Sequence, residues 1–153
     1  KLGEIPSDVY VLKSGVIRSF FTDEKGKEYI RNLFIPVKTT GALGALILNK
    51  PSRLSYDCLT ECKVYSINFN KFKKLTKEDK AISNLYSTIL EYIFLTLESK
   101  IYDLSVLNAK ERYLKLKKQI PDIEHLIPQY HIASYLNITP VQLSRIRKEI
   151  YSK

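Results

Sequence analysis

The sequence predicts an α+β chain: a β-rich first half, one long helix, and a small helical domain to close. Three observations carry this. All five glycines precede Ala45, and short apolar runs separated by turn residues continue to about Asn68. From Asp79 to about Leu107 there is no Gly or Pro, and apolar residues recur at three- and four-residue steps. Pro128 to Ile150 reads as two short helices joined by a tight turn.

In chain order, Val9–Leu12 is a short strand stopped by Ser14-Gly15. Val16–Phe21 is a second, followed by the turn Asp23–Lys27, and Tyr29–Phe34 is a third, ended by Pro36. Tyr56–Thr60 and Lys63–Ile67 close the set as antiparallel partners, and Phe69–Leu75 is a short helix leading away. Strands at this spacing suggest a sandwich or barrel.

The long helix carries Ile82, Leu85, Tyr86, Ile89, Ile93, Leu97, Ile101 and Leu104 as one stripe, with Leu90, Phe94 and Leu95 beside it. So broad an apolar surface calls for two partners, the chain's own β-domain and a twin helix in a homodimer. Asn108 is a good N-cap with Glu111 in capping-box position, and a basic helix follows to Ile120. Pro121 ends it, and Ile123–Ile127 is a short turn or helix. The expected domains are residues 1–78, 79–107 and 108–153.

The last stretch is the most informative. Its first helix is roughly Gln129–Leu136, with Ile132, Ala133 and Leu136 on one face. Asn137 tolerates the left-handed conformation that ends a helix, Thr139 is a good N-cap, and Pro140 suits the first helical position. The second helix runs from Pro140 to about Tyr151 and packs Leu143, Ile146 and Ile150 on one face. Its other face offers Val141, Arg145 and Lys148, with Gln142 and Ser144 beside them. That is helix-turn-helix design, whose second helix enters the DNA major groove. Val141 and Arg145 are expected over base edges, with Gln142 and Ser144 on bases or nearby backbone. Gln129, Tyr130 and Thr139, with Arg147 and Lys148, are expected to hold phosphates.

The net charge of +9, from 25 Lys+Arg against 16 Asp+Glu, favours a polyanionic partner such as double-stranded DNA. No apolar run approaches the ~20 residues that span a bilayer, so no membrane partner is expected. Cys58 and Cys62 have no second pair to complete a zinc site, so no metal is expected; they read as reduced, partly buried thiols of a cytoplasmic protein. His125 and His131 read as surface or capping residues. No nucleophile–base constellation or P-loop is found, which argues against an enzyme. A ligand-sensing module acting through protein contacts is the alternative; the outward Arg145 and Lys148 argue against it.

The stretch HIASYLNITPVQLSRIRK, with LNAKERYLKL before it, resembles the winged helix-turn-helix of the Crp/Fnr family of bacterial transcription regulators. GEIPSDVYVLKSGVIRSFF and the region around GALGAL are similar to that family's cyclic-nucleotide-binding β-roll. The resemblance implies a double-stranded β-helix roll, a dimer-forming long helix, RNA polymerase as a partner, and a small-molecule effector that the sequence does not name. Because the chain opens at Lys1 and the roll resemblance begins partway in, a helix and a strand or two are expected to precede it. The family binds a cyclic phosphate through a Gly-Glu-Leu turn with an Arg and a Ser further on. Carried over, Gly41, Ala42 and Leu43 take the turn, and by ungapped counting Ser52 and Arg53 fall on the Arg and Ser positions, while a one-residue slip would put Arg53 on the Arg position. Ala42 cannot make the ribose contact of the family's Glu, so weak or no cyclic AMP binding and no cofactor are expected. Val141 also stands where the family usually carries Glu, so its familiar half-site is not expected.

Overall fold

Turn chemistry divides residues 8–68 of the computed structural model, which describes residues 1–152, into six short strands. These are β1 (Asp8–Ser14), β2 (Ile17–Thr22), β3 (Glu28–Phe34), β4 (Thr39–Thr40), β5 (Ser55–Cys58) and β6 (Lys63–Asn68), with a short helix α1 (Leu43–Leu48) between β4 and β5. They form two antiparallel three-stranded sheets, β4-β1-β6 and β3-β2-β5. At the β2–β3 hairpin, Asp23 Oδ1 accepts from the backbone amides of Lys25 (3.0 Å) and Lys27 (2.9 Å), and Gly26 takes φ +78°.

The segments Tyr56–Thr60 and Lys63–Ile67 are not each other's partners, contrary to the sequence expectation. β5 pairs with β2, and β6 pairs with β1 in the other sheet. The cause is a crossing at Thr60–Cys62: the Val16 amide donates to Thr60 Oγ1 at 2.9 Å, and the Leu59 amide to Val16 O at 2.8 Å. Gly15 is required there. It sits at φ +94°, and a Cβ would stand 2.3 Å from Glu61 O and 2.6 Å from Cys62 Sγ. Cys58 is exposed rather than partly buried.

After β6, α2 (Phe69–Glu78) is capped by Asn68, and Asp79 turns the chain into α3 (Lys80–Val106) by accepting from the amides of Ala81 and Ile82. This 27-residue helix buries no side chain fully. The expected single stripe divides in two. Ile82, Tyr86, Ile89, Ile93 and Leu97 are half-buried, whereas Leu85, Ile101 and Leu104 are exposed, as are Tyr92, Phe94 and Leu95. Near its start, the Tyr86 ring meets Phe72 of α2 edge-on at 5.7 Å.

Four helices follow: α4 (Ala109–Gln119), α5 (Ile123–Leu126), α6 (Gln129–Tyr135) and α7 (Pro140–Tyr151). Asn108 and Glu111 form the expected capping box of α4. The wing does not appear among the described residues, since no strand follows β6. Where wing strands would precede the helix pair, Pro121 and Pro128 cannot donate to a ladder, and Ile123 of the one-turn α5 is fully buried in the helical core.

That core crosses the chain's length. Val16, Phe20, Ile30 and Leu33 of the β-rich half form one buried cluster with Tyr113, Leu116, Ile123, Ile132, Leu136 and Leu143 of the helical domain. The helical domain therefore packs directly on β2 and β3.

Candidate nucleic-acid interface

The α6–α7 turn is built by local chemistry. Leu136 caps α6, and Asn137 adopts the left-handed conformation at φ +56°. Thr139 Oγ1 then accepts from the Gln142 amide at 3.2 Å, and Gln142 Oε1 accepts from the Thr139 amide at 2.8 Å. This capping box, with Pro140 at the first position, starts α7 sharply. Arg112 of α4 staples the turn from behind, donating to Leu107 O at 2.5 Å and Leu136 O at 3.2 Å.

The inner face of α6 fixes the pair to the sheets. Its Ser134 hydroxyl accepts from the Ile30 amide of β3 at 3.0 Å and donates to Glu28 O at 3.3 Å, occupying an open sheet edge. His131, buried rather than on the surface, lies with Nδ1 3.4 Å from Arg18 Nη1. Because a guanidinium only donates, His131 Nδ1 accepts. Burial, and then the Arg18 charge, hold its pKa below the usual histidine value. Arg18 is itself only 7% exposed and is neutralised by Asp57, at 2.7 and 2.9 Å, and by Glu28 at 2.5 Å.

With α6 held, α7 turns its second face outward. Val141, Ser144, Arg145 and Lys148 are all exposed, and neither Arg145 nor Lys148 enters an ion pair among the described residues. Gln129, Tyr130 and Thr139 are exposed at the front of the pair. Two expected contact residues are engaged elsewhere. The Gln142 amide serves the capping box. Arg147 turns inward, its Nε 2.5 Å from Glu124 Oε1.

Glu124 is a hub that the sequence did not disclose. On α5, it also receives Lys117 Nζ at 2.8 Å, the Tyr113 hydroxyl at 2.6 Å and the Tyr151 hydroxyl at 3.1 Å. Burial alone would raise its pKa. The hydrogen bonds from Lys117 and Tyr113, the Arg147 charge and the Tyr151 hydroxyl instead bring it down to about 2.

The cassette region lies elsewhere on the sheets. Gly41, at φ +151°, has its carbonyl taken by the Tyr56 hydroxyl at 2.8 Å and the Leu43 amide at 2.9 Å. Ala42 is a buried methyl at the start of α1 and makes no side-chain cap. Ser52 is buried, and its hydroxyl is spent on Leu54, donating to the carbonyl at 2.8 Å and accepting from the amide at 3.1 Å. Arg53 is exposed and unpaired among the described residues. These residues place no side-chain acceptor at position 42 and no guanidinium at position 52.

Residues 1–79, over half of the chain, match the family model of the cyclic nucleotide-binding domain. The chain belongs to that family. No curated protein sequence matches it. Solved structures extend the likeness beyond this cyclic nucleotide-binding domain to the full length. FixK2 from Bradyrhizobium japonicum aligns with a TM-score of 0.84 at 17% identity, covering 99% of this chain and 78% of that one. A Eubacterium rectale protein assigned to the Crp/Fnr family aligns at 0.71 and 12% identity, covering 94% and 70%. The catabolite activator protein of Thermus thermophilus aligns at 0.54 and 18% identity, covering 99% and 72%. The cyclic nucleotide-binding domain, α3 and the C-terminal helices thus follow the Crp/Fnr fold.

Proposed function

We propose that this cyclic nucleotide-binding family member is a sequence-specific DNA-binding transcription regulator that acts as a homodimer. The observation that carries it is α7: a capped helix, anchored through α6 to β3, presenting Arg145 and Lys148, unpaired among the described residues, with Val141 to the outside. Arg145 reads a base edge, most simply guanine, and Val141 meets a thymine methyl. Lys148, with Gln129, Tyr130 and Thr139, holds the backbone. The exposed apolar residues of α3, Leu85, Ile101 and Leu104 among them, pair with a second copy. Two-fold symmetry then sets two half-sites about one helical turn, ~34 Å, apart.

Selection of bound duplexes from a random pool, without ligand, tests this. A near-palindrome is expected. A single half-site would remove the dimer, and no enrichment would count against the DNA role. On the selected operator, Arg145→Ala should lower discrimination at one base position per half-site by about tenfold or more, within the ~1–3 kcal/mol of a good base contact. Unchanged specificity would take Arg145 out of the base-reading role.

The effector pocket is degenerate in this proposal. Ala42 supplies no ribose acceptor, and Ser52 is spent on Leu54. Isothermal titration with cyclic AMP and cyclic GMP should therefore show no binding in the micromolar range; micromolar affinity for either would overturn the statement.

A further inference from the structure

A cleft outside the cassette joins the sheets to the helical domain. The larger of two neighbouring spaces there, about 240 Å³, lies between β3, α4 and α6 and is walled by Leu33, Ile35, Leu116, Ile120 and Tyr135, with Lys38 and Gln119. A smaller space of about 40 Å³ shares Leu116, Gln119 and Tyr135 and reaches Lys100 and Arg112.

The charges around this cleft are unbalanced. Neither Lys38 nor Lys100 enters an ion pair among the described residues. The neighbouring carboxylate, Asp103, is already taken by Lys115, with both oxygens at 2.6 Å. Half-buried, Lys100 has the Arg31 carbonyl and the Tyr135 ring, 4.5 Å from its ammonium, as its partners among the described residues. Burial, and then the Arg31 charge, bring its pKa down to about 8. Arg112 keeps a buried Nε without a hydrogen-bond partner. The Tyr135 hydroxyl makes no hydrogen bond to any described residue. Removing a cation from water without a counter-charge is costly, and an arriving anion would relieve that cost.

The walls set the rest of the chemistry. Four aliphatic side chains and a tyrosine ring exclude a bare, strongly hydrated anion and suit one with an apolar body. The volume lies below the ~300 Å³ at which drug-sized pockets begin, so the body is a short chain or a single ring.

We propose that the two spaces, which share Leu116, Gln119 and Tyr135, act as one cleft that binds a carboxylate carried on a short apolar body, its charge met by Lys38 and by Lys100 at the junction and its body held between Leu33, Ile35, Leu116 and Ile120. The ligand would touch both the sheets and the helical domain. The proposal stands apart from the DNA reading, because binding is measured on the free protein.

Isothermal titration with octanoate, octanamide, acetate and inorganic phosphate at pH 8, in two buffers of different ionisation enthalpy, tests it. Octanoate should bind at least tenfold more tightly than each of the others. Its binding should take up protons, because Lys100, its pKa brought down by burial to about 8, is partly unprotonated at that pH. Lys100→Met should cost at least tenfold in affinity and abolish the uptake. Lys38→Met should weaken binding and leave the uptake in place. Equal affinity for octanoate and octanamide, no octanoate binding, or unchanged proton uptake in Lys100→Met would overturn the proposal. If Lys100→Met does not fold, unchanged octanoate affinity in Lys38→Met overturns it.

Discussion

Raising the salt from about 50 to about 200 mM is expected to weaken operator binding by roughly a hundredfold, with a log–log slope of about −3.6. The cations that α7 leaves free set this slope. Arg145 and Lys148 are exposed and unpaired among the described residues, which gives four cations per dimer that displace counterions, Lys148 on the backbone and Arg145 in the groove between the phosphates. At about 0.9 counterions per contact, a fourfold rise in salt then costs ~10² in affinity. The slope also reports on Arg147. If DNA pulls its guanidinium off Glu124, two more cations join, the slope steepens to about −5.4, and the loss exceeds ~10³. Lys148→Ala should flatten the slope by about 2 for the dimer, evenly across sequences. Binding that ignores salt would mean that the partner is not a polyphosphate, and would favour a ligand-sensing module with a protein partner.

Glu124→Gln is expected to destabilise the chain by about 3 kcal/mol at neutral pH, since it strands two half-buried cations, Lys117 and Arg147, beside two tyrosine hydroxyls. The pH dependence follows from the same cluster. The folded carboxyl titrates at about 2 against an ordinary value of 4.5. Its ionised form therefore favours folding, fully above 4.5, and that contribution is lost as the pH falls through about 2. The difference in urea midpoint between wild type and Glu124→Gln should be large at pH 7 and shrink steadily from about pH 4.5 downward. A constant difference over that interval would mean that Glu124 acts through packing rather than charge.

The parts of the molecule legible in the sequence are those governed by residues a few positions apart. Asn137, Thr139 and Pro140 specify the turn between α6 and α7, and Asn108 with Glu111 specifies the start of α4. Gln142 shows how a local signal can be misassigned. Thr139-x-x-Gln142 is a capping-box signature, yet the side chain facing outward from α7 suggests DNA first. Interactions across the fold left no such trace. Arg18 and His131 meet across 113 positions, and no spacing announces it. Glu124 draws its partners from α4 and α7, so it reads in sequence as one carboxylate on a short helix. The pairing of β5 with β2 rather than β6 depends on the crossing at Thr60–Cys62, which resembles an ordinary hairpin turn in composition.

The core shared between the sheets and the helical domain makes the C-terminal helices poor material for transplantation. Cutting the chain after Leu107 would uncover Val16, Phe20, Ile30 and Leu33 together and leave the edge of β3 without Ser134. The remaining fragment would present a greasy patch beside an unpaired strand, the combination that seeds aggregation. Chimaeras that exchange recognition helices should therefore be joined inside α7, by replacing Val141, Ser144, Arg145 and Lys148 alone, because these outward residues contribute nothing to that shared core.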